Sequence, residues 1–179
     1  MRNNIGNTPY QNLSNGDNKL GKEKSIEVLN IALEAMQANV LLHPYDIRNY
    51  LTLSQLSQAG YTLTGDTKYI GEYGSYLETA LTYSPKRQQI IYNLANFYLQ
   101  IGKTDEAINS IEQTIKDDPK ISEGYWRLAY VYRLVGKMDK AIEALKLAEN
   151  NGIVFNESEQ GTIAQILAPA PATTAAKKK

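Results

Sequence analysis

One pattern occurs twice in this sequence at a spacing of 34 residues, and it constrains the fold more than any other feature. Eight residues recur in one register: Leu94, Ala95, Tyr98, Gly102, Lys103, Asp105, Ala107 and Ile108 match Leu128, Ala129, Tyr132, Gly136, Lys137, Asp139, Ala141 and Ile142. Pro85 and Pro119 are separated by the same interval. A period of roughly 20–50 residues indicates structural repeats that bury their apolar faces by stacking. We therefore expect an array of repeats rather than one globular core.

The order of residue types within the pattern resembles the tetratricopeptide repeat (TPR). The resemblance rests on small residues such as Ala95, on Tyr98, on the turn residue Gly102 and on the closing Pro119. It implies an all-α fold, a right-handed α-solenoid of helical hairpins. It also implies a general role, which is to present a surface to a partner protein or peptide. The pattern does not identify that partner.

The repeat register predicts a TPR domain over residues 24–167. Its parts are a half repeat (24–46), a long repeat (47–87), two regular repeats (88–121 and 122–155) and a cap helix (156–167). Residues 1–23 and 168–179 are predicted to be a flexible leader and a flexible Ala/Pro/Lys tail. The long repeat spans 41 residues from Pro44 to Pro85. Its seven extra residues equal about two helical turns, so we expect longer helices with Gly65-Asp66 at the tip.

The two ends of the predicted domain carry distinct features. Before the first junction, apolar residues recur at helical spacing: Ile26, Leu29, Leu33 and Met36. They predict the second helix of a repeat whose first helix is missing, and we expect this face to be open. At the other end, Asn156 precedes Glu159 by three residues, the spacing of a capping box. This predicts the start of a last helix that covers the array.

Composition argues against several classes of function. Lys+Arg and Asp+Glu are 19 each, so no overall field favours nucleic acid or a membrane surface. The chain has no Cys, which excludes disulfides and thiolate chemistry. No apolar run approaches the roughly 20 residues of a membrane span, and we expect no integral membrane segment and no export signal. The single His, His43, has no catalytic partner nearby in sequence. We expect no enzymatic activity, no cofactor and no metal.

By resemblance, the first helix of each TPR lines the concave side of the array. The predicted partner-binding residues are Arg48, Gln55, Tyr92, Asn96, Gln100, Trp126, Tyr130 and Arg133. Trp, Tyr and Arg often dominate binding energy, and a helical or extended peptide is the usual ligand of such a groove. Two alternatives stay open: Trp126 could instead pack against the next repeat, and the 13 Tyr could serve packing or a contact surface.

One well-known TPR ligand mode clamps a C-terminal carboxylate between Lys, Asn and Arg side chains. Asn93 and Arg127 fit two of its positions, but Leu51 and Glu123 stand where lysines are needed. An acidic side chain there would repel the carboxylate. We expect no binding of that type.

Residues 43–50, His-Pro-Tyr-Asp-Ile-Arg-Asn-Tyr, together with the repeats that follow, look like the C-terminal TPR region of bacterial O-antigen ligase and polymerase-like proteins. This resemblance implies an extracytoplasmic location in a bacterium and an accessory role in a surface-polysaccharide system. A second alternative to groove binding is self-assembly into an oligomer or filament through the ends of the solenoid.

Overall fold

The computed structural model describes residues 21–169, and every regular element in that range is a helix. The helices are α1 (Gly21–Leu42), α2 (Ile47–Thr64), α3 (Thr67–Tyr83), α4 (Gln88–Gln100), α5 (Thr104–Asp117), α6 (Ser122–Leu134), α7 (Met138–Asn150) and α8 (Glu157–Leu167). The predicted all-α class is confirmed. The chain divides into two compact units, Met1–Ile101 and Gly102–Lys179, where the sequence predicted one repeat domain.

In the first unit, α2 and α3 form the long hairpin that the sequence predicts. Gly65 ends α2 with φ 75°, a left-handed conformation that costs glycine little. Asp66 begins α3, because its side chain accepts a hydrogen bond from the Lys68 amide at 2.9 Å. The hairpin therefore turns at Gly65-Asp66, and its helices have 18 and 17 residues against 13 in α4.

The apolar side of α1 is covered, which corrects the expectation that the face of Ile26, Leu29, Leu33 and Met36 is open. Leu29 and Leu33 are buried in a cluster with Leu53, Leu56 and Tyr69. Met36 packs against the same cluster, and Ile26 is half-buried. The longer α2 and α3 supply the residues that cover this face.

The junction that follows α1 has the same design as the junction that precedes α6. The Tyr50 hydroxyl donates to the Pro44 carbonyl at 2.8 Å, and the Tyr125 hydroxyl donates to the Pro119 carbonyl at 2.9 Å. Each tyrosine lies six residues after its proline. Because Pro119 follows the second helix of a repeat, the equivalence identifies α1 as a second helix too.

In the second unit, α6 packs against α5, α7 and α8. Gly136 makes the turn before α7 with φ 74°. The predicted start of α8 is confirmed: Asn156 accepts from the Glu159 amide, and the Glu159 carboxylate accepts from the Asn156 amide, each at 3.0 Å. The helix lies beside α6, where Ser122 donates to Glu159 at 2.6 Å.

Two predictions about the chain ends concern residues at or beyond the described range. Helix α1 begins at Gly21, inside the predicted leader 1–23, while residues 1–20 lie outside the described range. Likewise, only Ala168 and Pro169 of the predicted tail are described. Among residues 21–169, one helix, α1, is long and apolar enough to cross a membrane by length and composition. Buried core helices of soluble proteins and signal sequences near the N-terminus meet the same criterion, and most of this helix is not buried. The sequence interpretation had not expected such a helix.

Candidate protein-interaction surfaces

Three of the predicted partner-binding residues lie together on α6. Trp126, Tyr130 and Arg133 are spaced by four and three residues, which places them on one face of the helix. Tyr130 is 42% exposed, while Trp126 and Arg133 are half-buried. Leu134 extends the face as an exposed apolar residue. The face therefore combines aromatic, cationic and aliphatic side chains on a single helix.

The indole of Trp126 has a cation–π contact on its ring and an unpaired N–H group. The guanidinium carbon of Arg127 lies 4.7 Å from its ring centroid, within the range of a cation–π contact. The Nε1–H of Trp126 is buried and has no hydrogen-bond acceptor among the described residues. A buried donor without an acceptor costs free energy on the order of 1–3 kcal/mol. The predicted groove exposure of Trp126 is therefore only partial.

The guanidinium of Arg127 is already engaged by an acid. Its Nε and a terminal nitrogen lie 2.8 and 2.7 Å from Oε1 of Glu123, one turn earlier on α6. The sequence placed Arg127 and Glu123 at two positions of a carboxylate clamp. Because Glu123 neutralises the arginine, this arrangement disfavours a ligand carboxylate.

Five further predicted residues lie in the first unit and differ in exposure. On α2, Arg48 and Gln55 are exposed and lie seven residues apart, on one face. Two N–H groups of Arg48 donate to Asp46, and these hydrogen bonds hold the pKa of the Asp46 carboxyl at about 2. On α4, Asn96 is half-buried and Gln100 is exposed.

Tyr92 corrects the prediction that it lines an exposed groove. Its side chain is 2% exposed, and its hydroxyl donates to the Gln88 side chain at 3.0 Å. The ring is a packing element of the first unit, so it does not offer a contact surface in this conformation. A partner-binding role for the other seven residues stays a prediction.

An apolar stripe on α1 escaped the sequence interpretation. We call it the α1 stripe, and it consists of the exposed residues Val28, Ile31, Ala35, Ala38 and Leu42. Ile31 is 60% exposed and Leu42 is 74% exposed. The stripe is visible in the sequence as apolar residues at alternating steps of three and four. The sequence interpretation instead followed the other apolar pattern on this helix, the one that contains Leu29 and Leu33.

A second surface that the sequence did not reveal lies between α7 and α8. We call it the C-terminal groove, a cavity of about 550 Å³ lined mainly by Ile142, Leu145, Phe155, Ile163, Ala164 and Leu167. Lys146 and Glu149 supply charged groups of opposite sign to its wall. Its size lies within the range of about 300–1,000 Å³ that is usual for ligand clefts.

The described residues offer little that resembles a catalytic or metal site. His43 is exposed in the α1–α2 junction, where its carbonyl accepts from the Asp46 amide at 3.2 Å. No group of three or more His, Cys, Asp or Glu side chains within residues 21–169 could hold a metal ion.

Comparison with known proteins identifies the repeats. Tetratricopeptide repeat models match residues 74–129 and 122–150. Tetratricopeptide repeats are therefore shown within residues 74–150. Together with the helices above, these matches establish an all-α fold of the α-solenoid class. Repeats of this family generally mediate protein–protein interaction.

Solved structures of TPR proteins share the fold at low sequence identity. TTC0263 of Thermus thermophilus is 22% identical with a TM-score of 0.65, over 81% of this chain and 76% of that one. A Parabacteroides merdae TPR protein is 19% identical, with a TM-score of 0.54 over 89% and 59%. MamA MSR-1 is 18% identical, with a TM-score of 0.51 over 70% and 68%. Among curated proteins, none matches the sequence.

The comparisons concern the repeats and the fold. They do not address the resemblance of residues 43–50 to O-antigen ligases, nor the extracytoplasmic location that it implies. Both stay predictions.

Proposed function

We propose that this chain is a non-catalytic scaffold that binds a peptide or protein segment on the exposed face of α6. The observation that carries the proposal is the grouping of Trp126, Tyr130 and Arg133 on one face of a helix. Aromatic and arginine side chains supply most of the binding energy at many interfaces. The proposal uses α6 alone, so it does not depend on how the two units are arranged.

The unpaired indole N–H favours a ligand that carries a hydrogen-bond acceptor. A ligand carbonyl oxygen that reaches Nε1 of Trp126, after a rotation of the ring, would remove the cost of that buried donor. Arg133 is available to a polar or acidic ligand side chain, whereas Glu123 disfavours a carboxylate close to Arg127. We therefore expect an extended or helical segment with apolar side chains rather than a free C-terminal carboxylate.

The test is selection from a displayed peptide library, followed by calorimetric titration of the selected peptide. Trp126→Ala should weaken binding by roughly 2 kcal/mol or more, as expected for an aromatic residue at the centre of an interface. Tyr45→Ala is the matched control, because Tyr45 is an exposed tyrosine of the other unit. Unchanged affinity after Trp126→Ala and Tyr130→Ala together would place the site elsewhere.

Self-association is a second candidate function, and the α1 stripe is the observation that favours it. Soluble monomers rarely expose extended apolar patches, and such patches commonly mark interaction sites. The stripe lies in the first unit and the α6 face in the second, so one chain could use both.

A further inference from the structure

The two ends of the described chain carry complementary halves of a repeat. Helix α1 occupies the position of a second helix, because its junction at Pro44 matches the junction at Pro119. Helix α8 lies beside α6, as the first helix of a following repeat would. Within residues 21–169, no helix precedes α1 and no helix follows α8.

The α1 stripe has the residue spacing and the length of a helix–helix interface. The α1 stripe runs from Val28 to Leu42 in steps of three and four residues, the spacing of side chains that interlock between helices. From Val28 to Leu42 there are 14 steps along the helix, which correspond to about 21 Å at 1.5 Å per residue. The opposite side of the helix, around Leu29 and Leu33, is already buried. Among residues 21–169, the stripe side of α1 is therefore the side without a packing partner.

The C-terminal groove has the position and length needed to accept the α1 stripe. It lies between α7 and α8, where the second helix of another repeat would pack against its own first helix. Helix α7 has 13 residues and is about 20 Å long, close to the length of the α1 stripe. Ile142 and Leu167 on the two walls are exposed apolar residues.

We propose that the α1 stripe of one copy of this chain docks in the C-terminal groove of another copy. The docked α1 runs antiparallel to α8, and the two helices form a composite hairpin shared by two chains. The inference rests on the self-association candidate and names its surfaces. Because the two surfaces differ, the contact is heterologous, and repeated docking builds an open chain of copies or a closed ring.

Charge favours this pairing over contact between two α1 helices. The antiparallel arrangement places Lys22 and Lys24 near the C-terminal end of α8, whose last turn carries no basic residue. Cations stabilise helix C-termini. Glu27 and Glu34 border the α1 stripe, so an antiparallel pair of α1 helices would bring like charges together. The groove offers Lys146 together with Glu149, so it presents no net negative charge.

The first test uses the full chain and measures mass by light scattering over a range of concentrations. Wild type should exceed the chain mass of 20.0 kDa as concentration rises. Ile31→Glu on the stripe and Leu167→Glu in the groove should each weaken self-association about tenfold or more, as for central interface residues. Asn109→Glu, exposed on α5, is the matched control and should assemble like the wild type.

Mixing the two variants separates this geometry from others. Each variant keeps one intact surface, so a mixture of Ile31→Glu and Leu167→Glu chains should form a pair of chains and grow no further. A mixture that stays monomeric overturns the proposal. Far-UV circular dichroism must first show that each variant is folded, and Ala35→Ser and Ala164→Ser are milder replacements at exposed positions if one is not.

Disulfide trapping distinguishes docking in the groove from pairing of two α1 helices, and it is practical because the chain contains no native Cys. Chains with Ala35→Cys should cross-link to chains with Ala164→Cys on mild oxidation, whereas Ser75→Cys, an exposed site on α3, should cross-link to neither. Efficient cross-linking of Ala35→Cys chains to each other would instead demonstrate α1–α1 pairing and refute the groove.

The outcome is independent of peptide binding on α6. A wild-type chain that stays monomeric at all concentrations overturns the end-to-end contact and leaves the α6 proposal standing. Conversely, Trp126→Ala should not alter assembly, because Trp126 lies in neither docking surface.

Discussion

Replacing Gly74 by Ala should destabilise the first unit, whereas replacing Gly71, on the same helix, by Ala should stabilise it. Gly74 is buried on α3 against Phe97 of α4. A Cβ atom at Gly74 would lie 2.8 and 2.9 Å from the Cε1 and Cε2 atoms of the Phe97 ring, and closer still to Cζ. Gly71 lies in the same helix, is exposed and has nothing within 4 Å of its Cβ position. The pair isolates the effect of packing from that of helix propensity.

The magnitude follows from two opposing terms. Ala is about 1 kcal/mol more favourable than Gly inside a helix, so Gly71→Ala should raise the free energy of unfolding by about that amount. Gly74→Ala receives the same contribution but overpacks the helix interface, which typically costs about 1–3 kcal/mol. Phe97 also packs edge-on against Tyr73 at 5.5 Å, which limits its movement. We expect the two variants to differ by about 1–3 kcal/mol, with Gly74→Ala the less stable.

Urea denaturation followed by far-UV circular dichroism measures the difference. Fluorescence of Trp126, the single Trp, reports on the second unit and serves as an internal control. Phe97→Leu combined with Gly74→Ala should recover part of the loss, which a double-mutant cycle would show as a coupling energy. Equal stability of Gly71→Ala and Gly74→Ala, or a cycle without coupling, would refute the close contact between α3 and α4.

Three further predictions test the core, a cap and a buried hydroxyl. Leu29→Ala should cost about 2–5 kcal/mol in urea denaturation, because Leu29 is fully buried between α1 and its neighbours. Asn156→Ala should cost about 1 kcal/mol of local stability in α8, measured by amide hydrogen exchange, because it removes the acceptor of the Glu159 amide. Burial raises the pKa of Tyr73 from 10.0 to about 12, so the fold favours the protonated phenol. Its contribution is complete below pH 10 and should fall by about 2–3 kcal/mol as pH rises to 12. The pKa values of Tyr50 and Tyr132 are also raised, so Tyr73→Phe should still lose stability, but less than wild type by about that amount in urea denaturation.

The features that the sequence predicted correctly are those set by local backbone chemistry. The turn at Gly65-Asp66 follows from a glycine that can adopt a positive φ and an aspartate that caps the next helix. The Asn156–Glu159 capping box likewise depends on residues three positions apart. Such signals need no knowledge of distant contacts.

Exposure was harder to predict, because it depends on neighbours that the repeat register does not specify. The register places Tyr92 and Trp126 at the same repeat position, yet Tyr92 is fully packed and Trp126 is half-buried. Helix α1 carries two apolar patterns, the one that contains Leu29 and Leu33 and the α1 stripe. The sequence alone does not indicate which of them is buried by other helices. Leu53 and Leu56 of α2 cover the first pattern, which leaves the α1 stripe open.

The excess of tyrosine over phenylalanine, 13 against 2, now has a largely structural explanation. Tyrosine rings fill the space between helices while their hydroxyls fix the junctions, as Tyr50 and Tyr125 do by donating to proline carbonyls. Most of the described tyrosines therefore serve packing, and three of them are exposed: Tyr45, Tyr83 and Tyr130. Tyr45 and Tyr83 contact each other edge-to-face at 5.4 Å. Tyr130 instead stands one turn from Trp126 on α6, so the tyrosine content points to the same helix as the grouping of Trp126 and Arg133.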